Sequence, residues 1–89
     1  MISHSKDSLR VVVSEVIDTV LQNGGKPQEP KNESTRLDAL PMDSMDWAEF
    51  VVRMEAETGL DPFSTGAETE ALVTLADLTK TYEQARTAH

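Results

Sequence analysis

The sequence predicts an all-α fold: a small antiparallel bundle of three main helices plus one short helix, with a long first loop. Three observations carry this prediction. Apolar residues recur at i, i+3, i+4, i+7 spacing in three separate segments. Glycine, proline and capping pairs punctuate the ends of those segments. The chain has 89 residues, enough for one thin core and no more. Residues 1–89 are therefore read as a single domain, with a core spanning about 7–86.

The first helix rests on Leu9, Val12, Val13, Val16, Ile17, Val20 and Leu21, which form one face. Its β-branched residues lower intrinsic helicity, so packing must hold it. Ser8 reads as its N-cap, and Asn23-Gly24-Gly25 followed by Pro27 stops it. Residues 24–36 are rich in Gly, Pro, Lys, Asn and Glu and form a loop. That loop exceeds the usual ~2–8 residues between neighbouring helices, so it must cross the bundle. Leu37 and Leu40 anchor its end onto the core. The second helix begins near Asp43-Ser44 and runs to about Thr58, closed by Gly59. Asp61-Pro62 marks a turn, and a short helix is expected over residues 67–72. The last helix opens at Thr74-Leu75-Ala76-Asp77, a capping-box variant with Asp at N3. Leu75, Leu78, Tyr82 and Ala85 form its apolar stripe.

The net charge is −8, and all of it lies between Asp38 and Glu70, where nine acids face Arg53 alone. Binding to nucleic acid or to an anionic membrane requires Lys and Arg to neutralise phosphates, so neither is expected. A basic protein partner is favoured instead. Cys is absent, which excludes disulfides, thiolate metal sites and cysteine nucleophiles. No apolar run approaches the ~18 residues of a membrane span. The first residues, Met1-Ile2-Ser3-His4-Ser5, lack the pattern of a signal peptide. A soluble, cytoplasmic protein is expected. His4 and His89 sit at the ends of the chain, so no Ser–His pair is credible and catalysis is not expected. Asp43, Asp46 and Glu49 lack an EF-hand loop, and no metal site is expected.

The second helix has two apolar strips. With Ser44 at the origin and about 100° per residue, Trp47, Phe50, Val51 and Met54 share one arc, which suits the core. Met45, Ala48 and Val52 share another, bordered by Glu49 and Glu55. A surface helix in a small bundle needs only one apolar stripe. The second strip therefore reads either as extra core contact or as a docking patch with an acidic frame. Trp47, Phe50 and Met54 read chiefly as core residues, with contact to a bound acyl chain as the other role open to them.

The stretch Leu40-Pro41-Met42-Asp43-Ser44-Met45-Asp46-Trp47-Ala48-Glu49-Phe50 resembles the carrier motif of acyl carrier proteins, loosely Leu-Gly-x-Asp-Ser-Leu-x-x-x-Glu-Leu. A Val-rich helix precedes it at the family's spacing, and Thr74-Leu75-Ala76-Asp77-Leu78 resembles the family's opening of the last helix. Asp7-Ser8-Leu9 matches Asp-Ser-Leu more closely, but the helix after it carries Arg10 and no acidic strip.

The resemblance implies a carrier and not an enzyme. It implies a 4′-phosphopantetheine arm on Ser44, which would supply the thiol this chain lacks and hold acyl or polyketide intermediates as thioesters. Asp43 would belong to the attachment site, as N-cap or as a metal contact during the transfer. The implied partners are a phosphopantetheinyl transferase, an acyltransferase or acyl-loading enzyme, and a ketosynthase or other acyl-processing enzymes. These would dock on Asp43, Met45, Asp46, Ala48, Glu49, Val52 and Glu55 of a monomer. Pro41 stands where Gly is usual, Met45 replaces Leu, and Trp47 lies one turn from the serine. These departures point away from housekeeping fatty-acid synthesis and towards a polyketide or related specialised pathway. Two other readings fit the same residues: an aminoacyl or peptidyl carrier loaded by an adenylating enzyme, and an unmodified acidic helical adaptor.

Overall fold

The computed structural model describes residues 9–28, 30–67 and 69–87. Three α-helices share one core: α1 (Leu9–Asn23), α2 (Ser44–Thr58) and α3 (Leu75–Thr87). Helix α1 packs against both α2 and α3. It buries Leu9, Val13, Val16, Ile17, Val20 and Leu21, with Val12 partly buried at the edge of the same face. Burial of this continuous stripe offsets the low helicity of its valines. The N-cap expected at Ser8 lies outside the described residues.

Helix α1 ends as its glycines predict. Gly25 takes the left-handed conformation at φ 70°. Its N–H donates to the Gln22 carbonyl at 3.1 Å, and the Lys26 N–H donates to the Leu21 carbonyl at 2.8 Å. These two bonds form a Schellman close.

The first loop then runs back along α1, because charge and backbone groups tether it there. Lys31, its side chain almost wholly buried, pairs with Asp18 in the middle of the helix. Glu33 meets Arg10 near the helix start at 2.8 Å. There the loop pairs with the entry to α3. Arg36 and Thr74 form an isolated antiparallel bridge. The Leu37 N–H donates to the Val73 carbonyl at 2.9 Å, Leu75 N–H to Thr35 at 2.8 Å and Ala76 N–H to Glu33 at 3.0 Å. The chain returns through a 3-10 turn, Leu37–Ala39, that the sequence did not predict. Leu37 and Leu40 pack against the core as anchors. The loop thus crosses the bundle and comes back to the end of α1 from which it left: Lys26 Nζ lies 3.5 Å from Asp43 Oδ2.

The short helix is not where the sequence placed it. In the described part of residues 67–72 there is only a turn, in which the Leu72 N–H donates to the Thr69 carbonyl at 3.1 Å. The short helical segment of this region is a 3-10 turn over Pro62–Thr65. Proline is preorganised for the first turn of a helix, where its missing N–H costs nothing. Gly66, left-handed at φ 105°, ends the turn after four residues. Residues 67–72 have no comparable start signal, and Leu72, after the turn, packs against the core.

Helix α3 opens with the expected capping box. The Asp77 N–H donates to Thr74 Oγ1 at 3.3 Å, and the Thr74 N–H donates to Asp77 Oδ2 at 3.0 Å. Backbone donation from Thr74 and Val73 holds the Asp77 carboxyl below the usual carboxylate range. Leu75, Leu78 and Tyr82 are buried as expected, together with Thr79. The Tyr82 ring stands edge-on to Phe50 at 6.0 Å and to Phe63 at 5.9 Å. Its buried hydroxyl has no hydrogen-bond partner among the described residues. Burial pushes the phenol's pKa above its ordinary value, and the charge of Asp61 adds to this.

Tyr82→Phe is expected to stabilise the protein by about 1 kcal/mol, because it removes a buried hydroxyl with no partner. Urea unfolding at neutral pH measures this, and an unchanged or lower midpoint would refute it. A raised folded-state pKa leaves the wild type's stability intact below about pH 10, the unfolded value, and erodes it as pH rises further. The Phe variant should lose less stability between pH 9 and 11. The caps act in the opposite direction. Asp43 and Asp77 have depressed folded-state pKa values, so their contribution is complete above about pH 4 and is lost in acid. Asp77→Asn should flatten the acid limb of a thermal-melt series.

Candidate functional site

Ser44 is the first residue of α2 and is exposed. The residue before it closes the helix. Asp43, in an extended conformation, accepts the Asp46 N–H on Oδ1 at 2.9 Å. The Asp46 carboxylate accepts the Asp43 N–H at 3.1 Å. The Trp47 N–H donates to the Asp43 carbonyl at 3.0 Å. This reciprocal box fills the N-cap role, which leaves the Ser44 hydroxyl without a hydrogen bond among the described residues. Donation from the Asp46 backbone is the main cause that holds the Asp43 carboxyl below its usual range.

The two strips of α2 separate cleanly. Phe50 and Met54 are buried, and Trp47 and Val51 pack against the core in part. Trp47 meets Phe50 edge-on at 5.5 Å. The second strip does not join the core: Met45 is 79% exposed and Val52 66%, and Ala48 is exposed beside them.

The acids around that strip differ from one another. Glu49 accepts from Arg53 Nε at 2.7 Å and from Asn23 Nδ2 at 3.3 Å. The Arg53 bond, and then the Asn23 bond, lower its pKa. Asp46 is mostly buried, bound in the capping box and paired with Lys26. Glu55 is exposed and makes no ion pair among the described residues. Lys26 and Asn23 are the partners that sequence reasoning missed. They lie too far along the chain for any spacing rule to connect them to α2.

A groove of about 610 Å³ opens beside Ser44. Ser44, Trp47, Ala48, Phe50 and Val51 of α2 line one side. Leu37, Asp38, Phe63, Thr69, Leu72 and Leu78 line the rest. Its walls are mainly apolar. Of the three residues named for contact with an acyl chain, Trp47 and Phe50 reach this groove, whereas Met54 is fully buried in the core and does not. The contributions of Phe63, Thr69 and Leu72 were not foreseen, because only the turn after α2 brings them to the groove. A second depression, about 690 Å³, lies between α1 and the first loop and does not touch Ser44.

Among the described residues no group of three or more His, Cys, Asp or Glu converges as a metal site would. No helix there is long and apolar enough to cross a membrane.

No family model matches the chain, and no curated protein matches it significantly. Among solved structures it is similar to the solution structure of MacpD, an acyl carrier protein from Pseudomonas fluorescens involved in mupirocin biosynthesis. The two share 32% identity over 88% of this chain and 70% of MacpD, with a TM-score of 0.74. With that identity over most of both chains, and the three-helix architecture described above, this chain belongs to the acyl carrier protein family, whose members are carriers rather than enzymes.

Proposed function

We propose that this chain, acting as one carrier domain in the cytoplasm, holds acyl or polyketide intermediates on a 4′-phosphopantetheine arm attached to Ser44. The observation that carries the reading is the free Ser44 hydroxyl, exposed at the N-terminus of α2 and at the mouth of an apolar groove. The residues present fit the arm. Asp43 already caps the helix, so the serine oxygen is available without cost to the fold. The positive end of the helix dipole favours a phosphodiester there. When bound, the arm supplies a thiol, and hence thioester chemistry, to a chain without Cys.

The remaining work belongs to the chain's own side chains. The Asp43–Asp46 box holds Ser44 at the first helical position. Trp47, Phe50 and Val51 offer an apolar wall beside the attachment point. Met45, Ala48 and Val52 present a small hydrophobic patch to partner enzymes, framed by Glu49 and Glu55. Asp46 belongs to the cap first and contributes its charge to the surface second. The partners would be a phosphopantetheinyl transferase, an acyl-loading enzyme, and a ketosynthase or other acyl-processing enzymes. Similarity to a carrier of mupirocin biosynthesis supports a specialised-metabolite pathway over housekeeping lipid synthesis. An unmodified adaptor would leave the free serine without a role.

Intact mass after incubation with coenzyme A and a phosphopantetheinyl transferase tests this reading. The wild type should gain one phosphopantetheine and Ser44→Ala none. Because Asp43 supplies the cap, Ser44→Ala should keep its stability within about 0.5 kcal/mol of wild type. A larger loss would assign the hydroxyl a structural role. Glu55→Lys should slow turnover by partner enzymes about two- to tenfold at low salt while leaving helicity intact. The difference should shrink in high salt. Equal turnover at low salt would remove Glu55 from the docking face.

A further inference from the structure

The acidic stretch that contains Ser44 is partly neutralised by a cation from outside it. The Lys26 backbone is locked by the close of α1, where its N–H donates to the Leu21 carbonyl at 2.8 Å, and Pro27 follows it. From there its ammonium bonds the Asp46 carboxylate and lies 3.5 Å from Asp43 Oδ2. The Lys26 side chain is 30% exposed and that of Asp46 only 13%, so this cation sits inside the surface that a partner would meet. The other acids are held differently. Glu49 is paired within α2 through Arg53. Glu55 makes no ion pair among the described residues. The charge on α2 is thus graded: partly neutralised at the Ser44 end by Lys26, balanced in the middle by Arg53 and uncompensated, among the described residues, at Glu55 and Glu57.

Resting on the carrier reading, we propose that Lys26 is a specificity-determining residue for proteins that dock on α2. It holds Asp43 and Asp46 from within, so a partner's basic groups are drawn first to Glu55. They reach Asp46, whose side chain is only 13% exposed, by displacing the Lys26 ammonium, and they meet Asp43, more open to solvent, with that ammonium 3.5 Å from its Oδ2. A partner that relies on those two acids binds against this internal competitor, whereas one that relies on Glu55 does not. Such exchange of one ion pair for another sets selectivity more than total affinity.

The test compares wild type, Lys26→Gln and Lys26→Arg in the transferase and coenzyme A assay, followed by intact mass at substrate concentrations below KM. Lys26→Gln should raise kcat/KM about three- to fivefold at low salt, the size expected from removing one competing surface charge. Lys26→Arg should match wild type. The gain should vanish near 0.5 M salt, where exposed charges are screened within a few ångströms. A merely structural Lys26 would give slower modification of Lys26→Gln at every salt concentration, together with a lower melting temperature. That result, or equal rates for Lys26→Gln and wild type, overturns the proposal. A second readout does not need Ser44 to be modified. A short Lys- and Arg-rich amphipathic peptide, titrated against apo protein and followed by the fluorescence of its one Trp, Trp47, should bind Lys26→Gln more tightly than wild type. Equal binding also overturns the proposal. Absence of any mass gain on the wild type would instead count against the carrier reading, and the peptide titration then decides the role of Lys26.

Discussion

The hydrogen bonds exchanged between Asp43 and Asp46 are the constraint on which the site depends. A helix start leaves backbone N–H groups without partners, and a serine at that point is commonly used to satisfy one of them. Here the carboxylate one residue earlier does so, and Asp46 returns the bond. The serine is thereby released from structural duty while remaining in the helix dipole. The same two carboxylates also receive Lys26, which ties the end of α1 to the start of α2. Local capping, packing of two helices and availability of the hydroxyl are therefore one arrangement. Gly24 lies alongside it: a Cβ there would be in ordinary van der Waals contact with Asp46 Oδ1, at 3.7 Å.

The charge of the chain takes a different meaning in three dimensions. In sequence the middle third is almost purely acidic. In the fold, cations come to it from the close of α1 and from within α2, and they go to some acids and not to others. What remains exposed on α2 is a pair of large apolar side chains, Met45 and Val52, set among carboxylates of unequal freedom. A surface of this kind discriminates by where its charges are uncompensated. The total matters less, because exposed charges more than about 10 Å apart scarcely sense one another at ordinary ionic strength.

Much of this was legible in the sequence where the signal is local. The limits of α2 could be read from Asp43 and Gly59, and the start of α3 from Thr74 and Asp77, because caps are written within four residues. The core stripe of α1 and the two strips of α2 followed from helical periodicity. Long-range features were not legible. Lys26 lies in a loop whose return path depends on Lys31 meeting Asp18 and Glu33 meeting Arg10, and no spacing rule foretells those meetings. The short helix was misplaced because Asp61-Pro62 signals a turn and a helix start equally well; Gly66 then limited it to a single 3-10 turn. Of the groove, the α2 wall could be found from periodicity, whereas Phe63 and Leu72 depend on how the chain folds back after Gly59.

The pairing of the first loop with the entry to α3 has a consequence for how the molecule opens. The amides of Leu37, Leu75 and Ala76 are all donated across that junction, so none can be released while the junction stays closed. Residues distant in sequence therefore share a single opening event. In hydrogen-exchange terms a junction of this kind opens as one cooperative unit. The loop that the sequence reads only as a crossing rich in Gly and Pro is, through those three amides, tied to the last helix.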